Sequence, residues 1–111
     1  KAAENLIAPA LVNPDEAGPL TELFDLLKNK GGVAGFGALL GANAMATVVQ
    51  ALKAGAIDGP SLRDKVETMG PIKGYAAAPI RFSATDHDSW TKETLFYVTV
   101  RDGKFKNLDP K

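Results

Sequence analysis

The stretch Phe36–Lys53, FGALLGANAMATVVQALK, limits what this chain can fold into more than any other part of it. Its composition predicts one long helix with almost no charged face. At about 100° per residue, Asn43, Thr47 and Gln50 share one narrow stripe. Leu39, Leu40, Met45, Val48, Val49 and Leu52, with five alanines, cover nearly everything else. A helix that is apolar most of the way round is normally buried against structure on several sides. The rest of the sequence must therefore be asked for a cover.

The supply is short. With 111 residues the chain has the length of one small domain. Thirteen basic and thirteen acidic residues balance, which argues against a nucleic-acid footprint or a polybasic membrane patch. There is no cysteine, so disulfide and thiol chemistry are excluded, and the absence fits either redox compartment. No export signal is visible, and a start at Lys1 rather than methionine marks a processed product, an expressed piece or a portion of something longer. A membrane span needs about 20 apolar residues. Phe36–Lys53 falls short of that, carries Asn43 and Gln50, and is rich in alanine, despite its small-residue pair Gly37 and Gly41.

In chain order, Leu6–Leu11 (LIAPAL) predicts a strand up to Ala8 that Pro9 turns into a connection. Asn13-Pro14-Asp15 and Gly18-Pro19 mark a loop. A first helix begins at Pro19 and runs to about Lys30, with Leu20, Leu23, Phe24 and Leu27 on one face and Gly31-Gly32 as its stop. The apolar helix follows and ends at Gly55. Ile57-Asp58-Gly59-Pro60 makes a turn, and Ser61 is placed to cap a third helix through about Met69, stopped by Gly70-Pro71. Pro79-Ile80-Arg81-Phe82 predicts a short strand, Ser83–Lys92 a polar loop, and Thr94–Val100 a strand rich in β-branched and aromatic residues. Asp102-Gly103 is a hairpin turn, with Lys104–Leu108 returning.

These elements do not balance. No run of parallel-type strands is available to cover the apolar helix. Ordering the backbone costs about 1–2 kcal/mol per residue, while fully burying a large apolar side chain returns about 1.5–3 kcal/mol. A half-covered helix forfeits several such contributions, against a typical total stability of about 5–15 kcal/mol. Something outside these residues is expected to complete the core, either the remainder of the same protein or another copy.

The last third carries a resemblance. Ile80-Arg81-Phe82-Ser83-x-Thr85-Asp86-His87-x-x-Trp90, followed by Val98-Thr99-Val100-Arg101-Asp102-Gly103-Lys104-Phe105, resembles the C-terminal end of type I periplasmic solute-binding proteins of ABC transporters, the family that includes branched-chain amino acid and aromatic-acid binders. Ala8–Glu16 (APALVNPDE) and Gly59–Asp64 (GPSLRD) are similar to stretches of that family in the same order. Ala78, where relatives commonly have glycine, and Gly41-Ala42-Asn43, where many have an aromatic or charged residue, depart from it. The resemblance implies an α/β fold, the C-terminal portion of a two-lobe protein. It places residues 1–12 as a crossing from the second lobe, 13–78 as helices of the first, and 79–111 as a crossing strand and hairpin of the second. It also implies a non-enzymatic protein outside the cytoplasm, periplasmic or membrane-anchored. Such a protein closes two lobes on a small carboxylate solute and then docks on a membrane permease, with no cofactor.

Within that reading Phe36 and Gly37 are the candidate ligand contacts. The resemblance puts them at or beside the cleft, and the helix N-terminus behind them offers free N–H groups to a carboxylate. The competing role for Phe36 is a packing staple. Asp86-His87-Asp88 is the one cluster of metal-ligand residue types, but adjacent residues rarely point to one centre and no second pair sits at a useful spacing. The plainer expectation is a loop in which Asp86 caps local N–H groups with Trp90 packed beneath. No nucleophile elbow or triad is present, so no catalytic residue and no metal is expected. The alternative from a different class is a small stand-alone interaction or metal-binding domain that oligomerises through residues 36–53.

Overall fold

The computed structural model describes residues 2–16, 18–76, 78–90 and 92–108. Among the described residues there are three α-helices, one short 3-10 helix (Lys92–Thr94) and three antiparallel strands, in two compact units: Lys1–Ala34 with Thr91–Lys111, and Gly35–Trp90.

In the first unit, strand β1 (Ile7–Ala10) pairs with β2 (Phe96–Arg101), and β2 pairs with β3 (Lys104–Asn107), in the order β1-β2-β3. The central strand supplies the buried pair Val98 and Thr99. β1 runs through Pro9 instead of stopping at Ala8. It is an edge strand with one neighbour, so a missing N–H at Pro9 costs no ladder bond. Asp102 and Gly103 both adopt positive φ, 54° and 74°, the type I′ geometry that an Asp-Gly hairpin favours. The far edge of β3 is closed by the loop that precedes α1 (Pro19–Asn29). Asn13 Nδ2 donates to the Phe105 carbonyl (3.3 Å) and to Asn107 Oδ1 (2.8 Å), and Phe105 N donates to Asp15 Oδ2 (2.8 Å). Asn107 Nδ2 also donates to Glu16 Oε2 (2.9 Å). Side chains of 13–16 thus stand in for a fourth strand, satisfying backbone groups that an open edge would leave to water or to another chain.

In the second unit α2 (Phe36–Lys53) has the expected bounds. It packs on α3 (Gly59–Thr68), with Leu39 and Ala51 fully buried. The cap of α3 is not Ser61 but Asp58, one turn of sequence earlier. Asp58 Oδ1 accepts from Ser61 N (2.9 Å) while Ser61 Oγ accepts from Asp58 N (3.0 Å), a reciprocal capping box with serine in the place usually taken by glutamate. Pro79–Phe82 does not form the expected strand. Ile80 exchanges two backbone bonds with Ile72 (2.8 and 3.0 Å), one isolated bridge, because residues 73–75 find their partners on α2 instead.

Those partners are the polar stripe of the helix. Gln50 Nε2 donates to the Lys73 carbonyl (2.8 Å) and Gln50 Oε1 accepts from Lys73 N (3.2 Å). Asn43 Oδ1 accepts from Tyr75 N (2.7 Å), and Asn43 is buried. Gly74 lies between these contacts: a Cβ there would come within 2.5 Å of Asn43 Oδ1 and 3.0 Å of Ile80 Cδ1. The polar stripe therefore faces residues 73–75, and while Leu39 and Ala51 are buried, several other apolar residues of the helix face out. Met45 is 61% exposed and Leu52 51%, and Leu40 and Val49 are also open. The helix that the sequence marks for burial on all sides is covered on one.

Candidate functional site

Phe36 and Gly37 occupy the first turn of α2. Their cap is Gly35 in extended conformation, which brings no side-chain acceptor to the first-turn N–H groups. Leu39 N is the amide that bonds back to the Gly35 carbonyl (3.2 Å). Aligned peptide dipoles make this the positive end of the helix, and the absence of an acidic residue in the first turn leaves that end uncompensated. Phe36 is 52% exposed, so its ring is not consumed by packing. A Cβ on Gly37 would meet nothing within 4 Å, so the turn is open to approach. Chemically, this end can offer N–H donors to an anionic group and an aromatic surface to an apolar one.

The Ser83–Trp90 segment is organised by its own side chains. Ser83 and Asp86 exchange backbone bonds (2.8 and 3.3 Å), and Ser83 Oγ accepts from Asp86 N (3.0 Å). Asp86 Oδ1 accepts from Asp88 N (2.9 Å) and Asp88 Oδ1 from Trp90 N (3.1 Å), two successive turns of the Asx type. Asp86 thus caps a local N–H, as expected, but Trp90 stands 43% exposed rather than packed beneath it. His87 reaches away from the cluster, and its Nε2 lies 3.0 Å from Glu67 Oε1 on α3. The three residues do not converge, and among the described residues no group of three metal-ligating side chains does.

Two groups of α3 titrate away from their ordinary values. Hydrogen bonds from the Ser61 side chain and backbone hold Asp58 below the usual carboxylate value, and Asp64 beside Arg63 raises the guanidinium further. Both are structural features of a helix start, remote in chemistry from ligand capture.

The fold has known counterparts. An extracellular ligand-binding receptor from Rhodopseudomonas palustris superposes with a TM-score of 0.68 at 20% identity, covering 98% of this chain and 35% of its own. An ABC transporter substrate-binding protein from Desulfitobacterium hafniense, solved in complex with Leu, gives 0.67 at 22% identity, covering 96% and 32%. The fold is that of part of an ABC transporter substrate-binding protein. A second extracellular ligand-binding receptor, from Rhodopseudomonas palustris HaA2, gives 0.63 at 16% identity over 97% of this chain. The chain spans about a third of the length of each of these proteins. No family model and no curated protein sequence matches it. Among the described residues no helix is long and apolar enough to cross a membrane.

What sequence reasoning missed is the partner of the polar stripe. Asn43 and Gln50 were visible as an inconsistency in an apolar helix, yet nothing local identified residues 73–75 as their partners. The one available signal was Gly74, a position where a close approach needs the absence of a Cβ.

Proposed function

We propose that this chain is the C-terminal portion of a solute-binding protein of an ABC-type uptake system. The complete protein captures a small carboxylate solute, a branched-chain amino acid or aromatic acid, between two lobes and delivers it to a membrane permease. It acts outside the cytoplasm, performs no chemistry on its solute, and works by a population shift between open and closed forms. The observation that carries this reading is the superposition of nearly the whole chain on about a third of three binding proteins. The outward apolar side of α2 supports it independently, since a layer supplied by the remaining two-thirds is what such a surface calls for. Residues Phe36 and Gly37 are the proposed solute contacts, the ring against an apolar group and the free N–H groups toward a carboxylate.

Calorimetric titration of the full-length polypeptide with leucine, isoleucine and benzoate-type acids tests this. Saturable binding of at least one, weakened about tenfold or more by Phe36→Ala, is expected, since such a loss corresponds to roughly the contribution of one aromatic contact. Absence of binding across both solute classes, with the protein folded, overturns the reading. A discrete, well-folded oligomer of residues 1–111 alone would favour the interaction-domain alternative.

A further inference from the structure

The dipeptide Asp-Gly occurs twice, at Asp58-Gly59 and at Asp102-Gly103. Its chemistry is covalent and needs no second molecule but water. The amide nitrogen after an aspartate can close a five-membered ring on the side-chain carboxyl carbon, and a following glycine puts no Cβ in the path of attack. Both copies are exposed, so access to water does not separate them. Their bonding does. Asp58 is the cap of α3: its Oδ1 accepts from Ser61 N (2.9 Å), its own N donates to Ser61 Oγ (3.0 Å), and Gly59 is the first helical residue. Turning the Asp58 carboxyl onto the Gly59 nitrogen would unmake that box. The Ser61 side chain and amide also hold Asp58 below the usual carboxylate value, which depletes the neutral acid that ring closure consumes. Asp102 carries none of these restraints. Among the described residues its carboxylate accepts no hydrogen bond and makes no ion pair, and only its backbone N is held, by Glu4 Oε1 (2.9 Å). Among the same residues the Gly103 amide donates to no acceptor, and a Cβ on Gly103 would meet nothing within 4 Å.

We propose that Asp102-Gly103 is a site of spontaneous backbone isomerisation, while the capping box keeps Asp58-Gly59 from the same change. The Gly103 nitrogen attacks the Asp102 side-chain carboxyl carbon. An N–C bond forms, the C–OH bond breaks, and the hydroxyl leaves with the amide proton as water. Water then re-enters the cyclic imide at one of its two carbonyls. Opening at the side-chain carbonyl restores the original linkage. Opening at the main-chain carbonyl sends the backbone through the side chain and frees the α-carboxylate. Mass and charge are unchanged, but the backbone between Arg101 and Lys104 is one atom longer. A two-residue turn of type I′ has no room for that atom, so the change unseats the Arg101–Lys104 pair at which β3 begins. Ring closure needs the turn to open briefly, and exposed loop tips are where the backbone opens at least cost.

Incubation of the full-length protein in warm, near-neutral buffer for some weeks tests it, followed by digestion and electron-transfer fragmentation, which tells the two linkages apart. The altered linkage is expected to accumulate about tenfold faster at Asp102 than at Asp58, the discrimination that an intact N-cap provides. In urea-unfolded protein the two sites are expected to convert at similar rates, because the dipeptide is the same. Ser61→Ala removes one arm of the box and is expected to raise conversion at Asp58 several-fold with Asp102 unchanged. Protection of the Lys73 and Tyr75 amides from hydrogen exchange, held by Gln50 and Asn43, reports that this variant is folded. Equal rates at the two sites in the native protein, or no conversion at Asp102 where the unfolded protein converts, overturns the proposal. A rate at Asp58 unmoved by Ser61→Ala overturns the role given to the capping box.

Discussion

Single side chains in this protein replace backbone that the fold would otherwise need. Asn43 and Gln50 serve residues 73–75 as a neighbouring strand would, and Asn13 and Asp15 do the same for Phe105. Asn43→Ala leaves the Tyr75 amide without its acceptor in a partly buried place, and is expected to lower stability by about 1–3 kcal/mol in urea unfolding of the full-length protein. Gly74→Ala should cost a similar amount, about 1–3 kcal/mol, because the added methyl drives Asn43 Oδ1 from its position. The two changes are not expected to add, since they remove the same bond. Asp58 carries a pH signature. Its folded value is depressed by Ser61, so the stabilisation it provides is present above the unfolded carboxylate value of about 3.9 and is lost as pH falls through the folded value. Protection of the Ser61 amide should therefore fall on acidification in the native protein and be low at every pH in Asp58→Ala.

Among the elements, legibility tracked how local the deciding interaction is. The bounds of α2, the start of α1 at Pro19 and the Asp-Gly turn were all readable, because spacing, a fixed φ and a positive-φ dipeptide act within a few residues. The capping of α3 was misassigned by three positions: Ser61 and Asp58 are both good caps, and only their reciprocal bonding decides which one leads. Pro79–Phe82 had the composition of a strand and became a bridge, since what pairs with residues 73–75 is settled by a helix some thirty residues away in sequence. The candidate site was legible only as a location. The first turn of α2 begins where expected and is open. Leu39, fully buried between α2 and its unit, is the point where truncation to alanine is expected to cost most, about 2–5 kcal/mol by chemical unfolding of the full-length protein.

For the whole molecule, the sequence's central imbalance persists in three dimensions. Leu40, Met45, Val49 and Leu52 lie open along one helix, and β3 is exposed throughout. A chain with so much apolar surface uncovered is expected to aggregate or unfold when produced alone, and to become soluble when co-produced with the remaining two-thirds of the proposed binding protein. Met45→Glu with Leu52→Glu separates the two causes. The pair should raise the solubility of residues 1–111 alone, measured by sedimentation, and abolish rescue by the other portion. A sharp, reversible melt of monomeric native chain would contradict both expectations.

The inward stripe of α2 also makes the helix a ruler. Asn43 and Gln50 sit seven residues apart, two turns of helix, which keeps both amides on the same side facing Lys73 and Tyr75. One residue inserted between them would swing Gln50 about 100° around the axis, carrying its amide off the Lys73 backbone and Ala51 out of its buried seat. Composition along this helix can drift, alanine for leucine or valine for methionine on the outer side, with the length between those two positions fixed. Insertions compatible with this fold therefore belong in the loops on either side of it and not in the helix itself.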